Sequence, residues 1–514
     1  MTGCSARRIS VLAASAYPFY FARMLTPAEE IGIQGRQLAT RVQDALDKMP
    51  ESDIVDLIHS IRREAAERHL IYQRDGVDEV ITLLPCPITL RPDQLGYTHY
   101  VSQTVLNCLK RLPDLYFSSP EVREILRVTD VEEEWLRECW TPEHREANPV
   151  FSRLDAVVDY SIAEWKDSIK FLEPNMTGIG GLHMAPTSME VLADLVVPAL
   201  LTQDSTIRLQ LAEDIRELLL QDLLEHLDAI GRPEGTIVLV DPKYSIDGPD
   251  EMQALVEYYQ NNYGITLLHA DASELRLEGD EVYYGDKRVD LAYRDASVLD
   301  LVDMASEGVD IAPFRALLKQ NRVVSSIAAE LDQKSCFEVF TDPAIADRFL
   351  TVEEQIVMKR HVLWTRLVSD RRTTSPTEDQ VDLLEFIRKD RESFVLKPNR
   401  SYGGEGVVVG NSTNQSEWES AINNALTDKN DRWVVQQAAQ IPVKSFHVLD
   451  KEGRLHMEPF NVVMGLASSH FGVAMMVRAS QSKVVNIAQH GGLCAVMVSA
   501  KALHTAMYRA RAAK

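Results

Sequence analysis

The stretch from residue 236 to residue 268 constrains the fold of this chain more than any other. Thr236-Ile237-Val238-Leu239-Val240 is a short apolar run of the kind that forms a buried strand. Asp250 is placed to cap a helix through Tyr258 and Tyr259, and Ile265-Thr266-Leu267-Leu268 is a second strand-like run. Strand, helix, strand at this spacing is a βαβ unit, which calls for a parallel sheet covered by helices. The breaker Gly231-Arg232-Pro233-Glu234-Gly235 sets this unit apart from what precedes it. Behind it, Glu281-Val282-Tyr283-Tyr284-Gly285-Asp286-Lys287-Arg288-Val289 reads as a hairpin. The expected class is α/β.

The remaining patterns divide the chain into four parts. Ile54, Leu57, Ile58 and Ile61 mark one face of a helix, and Arg91-Pro92-Asp93 starts another that carries Val101, Val105, Leu106 and Leu109. Residues 1–150 are therefore expected to form a mostly helical N-terminal region without chemistry of its own. Residues 151–231 hold strands near 154–158 and 169–173, the turn Thr177-Gly178-Ile179-Gly180-Gly181, and long helices. Residues 232–330 hold the βαβ unit. Residues 331–514 alternate strands with helices, with strands at Ser393-Phe394-Val395-Leu396, Val407-Val408-Val409, Trp433-Val434-Val435-Gln436-Gln437, 474–478 and 484–487.

Composition excludes several function classes. The 514 residues carry 77 Asp plus Glu against 54 Lys plus Arg, a net charge of −23, so a general nucleic-acid binder is not expected. Its six cysteines are scattered, with no CxxC pair and no zinc spacing, as in a reduced cytoplasmic enzyme. No apolar run approaches the ~20 residues that span a bilayer, and no membrane partner is expected. Arg7-Arg8 ahead of a short apolar run resembles a leader only faintly, because the run passes directly into Tyr17-Pro18-Phe19.

Chemistry concentrates in five places. The first is Lys397-Pro398-Asn399-Arg400-Ser401-Tyr402-Gly403-Gly404-Glu405-Gly406, between two β-rich runs. It matches neither a Walker loop nor a Rossmann fingerprint, since both open helices. A glycine-rich hairpin tip can close its N–H groups over phosphates with the lysine beneath, or it is a plain turn. The second is Glu173-Pro174-Asn175, with Arg153 and Asp155 upstream. Residues two apart on a strand face the same way, so Glu173 and Asn175 offer hard oxygen ligands suited to Mg²⁺, with Asp155 a third, or they are solvated strand ends. The third is Arg478, closing an apolar strand and needing a phosphoryl or carboxylate partner. Asn486 with His490-Gly491-Gly492 is a polar stretch at a glycine turn. Lys334 taken alone is an ordinary surface lysine.

Together, in this order, these strings resemble the circularly permuted ATP-grasp ligases, glutathionylspermidine synthetase-like and glutathione synthetase-like, and most closely their uncharacterised bacterial branch. The resemblance runs over residues 151–498. Arg153-Leu154-Asp155 and Glu173-Pro174-Asn175 are similar to the family's R-x-D and E-x-N magnesium motifs. Lys334 and Lys397 look like its nucleotide lysines, and Trp433-Val434-Val435-Gln436-Gln437 like the strand leading to its adenine hinge. The metal motif precedes the lysine loop, as in the permuted group. The resemblance implies a permuted ATP-grasp core with a βαβ substrate-side domain. It implies ATP and Mg²⁺, and an amide or peptide bond formed from a small carboxylate and an amine (amino acid or peptide) through an acyl phosphate. Lys334, Lys397, Gly403, Gly404, Gly406, Gln436 and Gln437 would bind the nucleotide. Asp155, Glu173 and Asn175 would hold metal, and Arg153 and Arg478 would stabilise the acyl phosphate. A homodimer is also in keeping with it. One departure stands out: Ser401 occupies the place of a metal-binding glutamate, with Glu405 out of register. A catalytically weakened nucleotide-binding protein, or another ATP-dependent phosphotransferase such as a kinase, are the alternatives.

Overall fold

The computed structural model describes residues 38–74, 76–244, 251–483, 485 and 491–500. The expected helices form as Glu51–Glu67, with Ile54, Leu57 and Ile61 buried, and α1 (Pro92–Leu109). Between them the helical expectation fails. A small hairpin, Ile71–Arg74 with Val77–Val80, is followed by strand β1 (Leu83–Leu90). That strand reads Leu-Leu-Pro-Cys-Pro-Ile-Thr-Leu, with nearly every residue buried, so no alternation marks it and two prolines disguise it. Strands β2 (Ser152–Val157) and β3 (Lys170–Glu173) follow as expected, then helix α2 (Met184–Gln203), the short β4 (Leu209–Leu211) and helix α3 (Ile215–Ala229).

The βαβ unit is present as β5 (Ile237–Val240), α4 (Met252–Tyr263) and β6 (Leu268–Ala270). Asp250, the expected helix cap, lies outside the described residues. With β7 (Leu291–Arg294) and β8 (Val323–Val324) they make a four-stranded parallel sheet ordered β8-β7-β5-β6. The expected hairpin pairs Glu281–Tyr284 with Lys287–Arg288.

The last third builds two further sheets. Strands β9 (Thr365–Leu367), β10 (Phe394–Pro398), β11 (Val408–Val409) and β12 (Trp433–Gln437) form an antiparallel sheet ordered β9-β12-β10-β11. Strands β13 (Val443–Leu449), β14 (Leu455–Ser469), β15 (Gly472–Ser480) and β16 (Gly492–Ser499) complete the largest sheet, which is eight-stranded. Its path is β1-β16-β15-β14-β2-β3, with β13 added on β14 and β4 on β16. The strand at its edge, β1, pairs parallel to β16, so the N-terminal region is stitched directly into the central sheet.

Helix α2 is 20 residues long with a mean hydropathy of 1.4, long and apolar enough to cross a membrane by length and composition alone. The sequence reading did not foresee such a run. Here it packs across β1 and β16, and Val191, Leu192, Val196 and Leu200 are buried in the largest core cluster. A core helix of this kind passes the same length test as a spanning one.

Candidate functional site

Strand alternation builds one wall of a large cavity. On β10, Phe394 and Leu396 turn to one face, where they pack with Trp364, Leu383 and Trp418. Val395 and Lys397 therefore turn to the other, and both line a cavity of about 510 Å³. On the neighbouring β12, Val435 packs in that same core while Gln436, the register partner of Val395, lines the cavity. The opposite wall comes from the eight-stranded sheet: Asp155, Leu172, Glu173, Asn461, Val463 and Arg478.

The lining is of two kinds. Leu172, Leu363, Val395, Val409, Ile441 and Val463 are apolar. Asp155, Glu173, Lys334, Lys397 and Arg478 are charged, and ion pairs join Lys334 to Glu173 and Arg478 to Asp155. A planar heterocycle with an anionic tail matches such a division, and the volume falls within the ~300–1,000 Å³ common for ligand sites.

Register explains how the charged residues converge. Asp155 on β2 faces Glu173 on β3, and both Asp155 and Arg478 flank β14, opposite Gly465 and Val463 respectively. A Cβ on Gly465 would lie 2.6 Å from Cδ of Arg153, which crosses over it, so a larger residue there would displace that arginine. Lys334 arrives from a different segment. Asn399, just after β10, accepts from Ser335 N at 2.8 Å and donates to Gln333 Oε1 at 2.8 Å, strapping residues 333–335 beside the lysine strand. Lys334 Nζ then donates to the Ser401 carbonyl and lies 3.5 Å from Glu173 Oε2. Lys397 Nζ donates to Gln436 Oε1 at 2.9 Å, and Gln436 Nε2 is held by the Leu172 carbonyl and Thr365 Oγ1, both at 3.0 Å.

The charges are strongly interdependent. Burial by itself would raise the Asp155 carboxyl, but Arg478, Arg153 and Lys397 together hold it below the ordinary carboxylate range. Burial pushes the Lys397 ammonium down and Lys334 adds to that, while Glu173 and Asp155 pull it back up. Arg478 Nη2 forms an ion pair with Asp155 Oδ2 at 2.7 Å. Arg478 Nε, Arg153 Nε and Asp155 Oδ1 are buried without a hydrogen bond. Each such group costs about 1–3 kcal/mol, more when charged. A buried cluster left this poor in hydrogen bonds is suited to receive anionic oxygens and a cation.

Not every expected residue reaches the cavity. Asp155, Glu173, Lys334, Lys397, Gly404, Gln436, Gln437 and Arg478 line it. Arg153 stands behind Asp155, at 3.5 Å from Oδ1, with Nη1 on the Gly180 carbonyl. Asn175 does not join Glu173 at the cavity wall. Strand β3 ends at Glu173, so Pro174 interrupts the alternation, and Asn175 Nδ2 donates instead to the Arg153 carbonyl at 2.9 Å. Gly403 and Gly406 shape the loop from outside the wall. Both adopt left-handed backbone, and a Cβ on Gly406 would meet Pro398 Cγ at 2.8 Å. Asn486 and His490 lie outside the described residues.

Further residues complete the wall. Ser401 and Glu405 both line the cavity, and the Ser401 carbonyl accepts from Lys334 Nζ. Lys483 also lines it, with Nζ on Asn411 Oδ1 at 2.8 Å and Ser412 Oγ at 2.9 Å. Nothing local distinguishes Lys483 from a surface lysine. The alternation of β14 could have singled out Asn461 and Val463, had its pairing been known.

Together these sheets define a mixed α/β protein whose fold is similar to a glutathione synthetase-like one. Among solved structures, the chain is similar to a glutathione synthetase-like effector from Globodera pallida in its apo form, at 11% identity and a TM-score of 0.59, over 87% of this chain and 98% of that one. No family model matches the chain, and no curated protein matches it.

Proposed function

We propose that this chain is an ATP-dependent carboxylate–amine ligase with a circularly permuted ATP-grasp core. The observation that carries the reading is one cavity with an apolar lining on which Asp155, Glu173, Lys334, Lys397 and Arg478 converge. The fold likeness is in keeping with it.

The residues present fit ATP and Mg²⁺. The apolar lining residues would take the purine, Lys334 and Lys397 the phosphates, and Asp155 with Glu173 the metal. Mg-ATP supplies the phosphoryl group that turns a carboxylate into an acyl phosphate, releasing ADP. Attack by an amine on that carbonyl then expels phosphate, and the amine loses a proton. The protein's part is placement and electrostatics. Lys397, oriented by Gln436, and Lys334, oriented by the Asn399 strap, hold positive charge where phosphoryl charge grows. Arg478, ion-paired with Asp155 through Nη2, offers its guanidinium charge to the developing anions, and Arg153 steadies Asp155 from behind. The loop with Gly403, Gly404 and Gly406 covers the site and keeps water from the acyl phosphate.

ATP turnover across a library of acids and amines tests this in Lys397→Ala and Glu173→Ala proteins. Both should fall by two orders of magnitude or more, about 3 kcal/mol of transition-state stabilisation. Rates like wild type in both would sink the assignment. A ligase releases ADP and phosphate with an amide only when acid and amine are both present, whereas a kinase leaves a stable phosphorylated product. A second reading, nucleotide binding with weakened catalysis, draws on Ser401, where the cavity meets a backbone carbonyl and not a carboxylate. Binding of Mg-ATP without turnover of any acid–amine pair would select it.

A further inference from the structure

A second hollow, of about 280 Å³, opens at the other end of β14. Its walls include Lys110 just after α1, Asp222, Glu225 and His226 on α3, and Ser469 with His470 in the β14–β15 turn. Helical spacing places Asp222 and Glu225 on one face of α3, and with His470 their ligand atoms all lie within 4.8 Å of one another. Ser469 Oγ donates to Asp222 Oδ1 at 2.8 Å and fixes that carboxylate. His226 is committed elsewhere, with Nε2 on the Asn321 carbonyl at 2.8 Å.

Lys110 brings the opposite charge to the same hollow. Its carbonyl accepts from Asn148 Nδ2, but among the described residues its ammonium makes no ion pair or side-chain hydrogen bond. A half-buried cation and a half-buried carboxylate thus share a cavity without closing on each other. The neighbouring amides cannot bridge them. Gln103 is engaged with Asn107 and Ser468, and Asn148 Oδ1 with Ser326.

Size and charge decide between occupants. A cation with a few waters, each about 30 Å³, would leave much of the hollow unfilled and would face repulsion from Lys110. The volume falls just below the ~300–1,000 Å³ of drug-sized sites, the scale of a small metabolite. We propose that this hollow binds a free α-amino acid, with its ammonium at Asp222 and Glu225 and its carboxylate on Lys110. About 17 Å of extended strand separates Ser468 here from Val463 at the first cavity, so the bound amino acid is an effector and not the amine being joined.

Calorimetric titration of the full-length protein with each standard amino acid tests this. One of them should bind with a stoichiometry of one. Lys110→Met and Asp222→Asn should each weaken it roughly tenfold or more, through loss of a charge-assisted hydrogen bond. Lys397→Ala, in the other cavity, should leave this binding unchanged. If Asp222→Asn fails to fold, Lys110→Met and His470→Gln on the exposed turn carry the comparison. The proposal is overturned if no standard amino acid binds, if Lys397→Ala abolishes the binding while Lys110→Met spares it, or if the hollow takes only Zn²⁺ or Mn²⁺ and loses it in His470→Gln.

Discussion

Gln436 shows how one side chain ties the two walls of the larger described cavity together. It is 1% exposed, it orients Lys397 from one strand, and it donates to the Leu172 carbonyl on the opposite wall. Gln436→Leu would keep most of the volume and remove all three hydrogen bonds. The expected loss of stability is about 1–3 kcal/mol, since the Leu172 carbonyl and the Lys397 ammonium would stay buried without it. Urea unfolding measures that loss, and ATP titration should show weaker binding in the same protein. A variant as stable as wild type with unchanged ATP affinity would remove Gln436 from this role. The sequence names Lys397 and Gln436 separately, but their bond arises from the antiparallel register of β10 and β12, which no local pattern reveals. Asn175 fails for a related reason: period-two reasoning holds only while the strand continues, and Pro174 ends it.

Among the elements, the parallel sheet carries its own chemistry at its carboxyl edge. In the order β8-β7-β5-β6 the first strand of the unit, β5, sits between the second and the third, so the direction of winding reverses between β5 and β7. Open α/β sheets commonly hold polar function at such a point. Asp241 follows β5 and Asp295 follows β7, and Asp295 N donates to the Val240 carbonyl at 2.9 Å. Burial, then the nearby Asp241, Glu251 and Asp300, raise the Asp295 carboxyl to about 7. A carboxyl with a folded pKa above its unfolded value near 4 contributes stability that is fully present below pH ~4. That contribution is lost as pH rises through about 7. Asp295→Asn should therefore be no more stable than wild type at pH 4 and more stable above pH ~7, with the difference opening between those limits. Denaturant midpoints of both proteins across that range measure it, and a difference constant with pH would refute the assignment. The elements of this sheet are readable in advance because β5 and the hairpin behind it have clear patterns. The carboxylate pair is not, since Asp241 and Asp295 meet only through parallel pairing of β5 with β7.

At the scale of the whole molecule, the cavity is a joint between sheets and not a hollow within one. The antiparallel sheet contributes Val395, Lys397 and Gln436, and the eight-stranded sheet contributes Asp155, Glu173, Val463 and Arg478. Trp418, Phe394 and Leu396 pack in a separate cluster behind the antiparallel sheet. Across the joint Gln436 donates to the Leu172 carbonyl and Lys334 pairs with Glu173, and several charged atoms on the eight-stranded side lack hydrogen bonds. A ligand that satisfies those atoms stabilises the joint by RT ln(1 + [L]/Kd), about 2.7 kcal/mol at a hundredfold excess over Kd. Mg-ATP should thus raise the melting temperature of the intact chain and slow proteolysis between the two sheets. Because Lys397 belongs to one sheet and Glu173 to the other, Lys397→Ala and Glu173→Ala should each abolish the shift although they lie on opposite walls. A shift that survives both substitutions would place the nucleotide somewhere other than this joint.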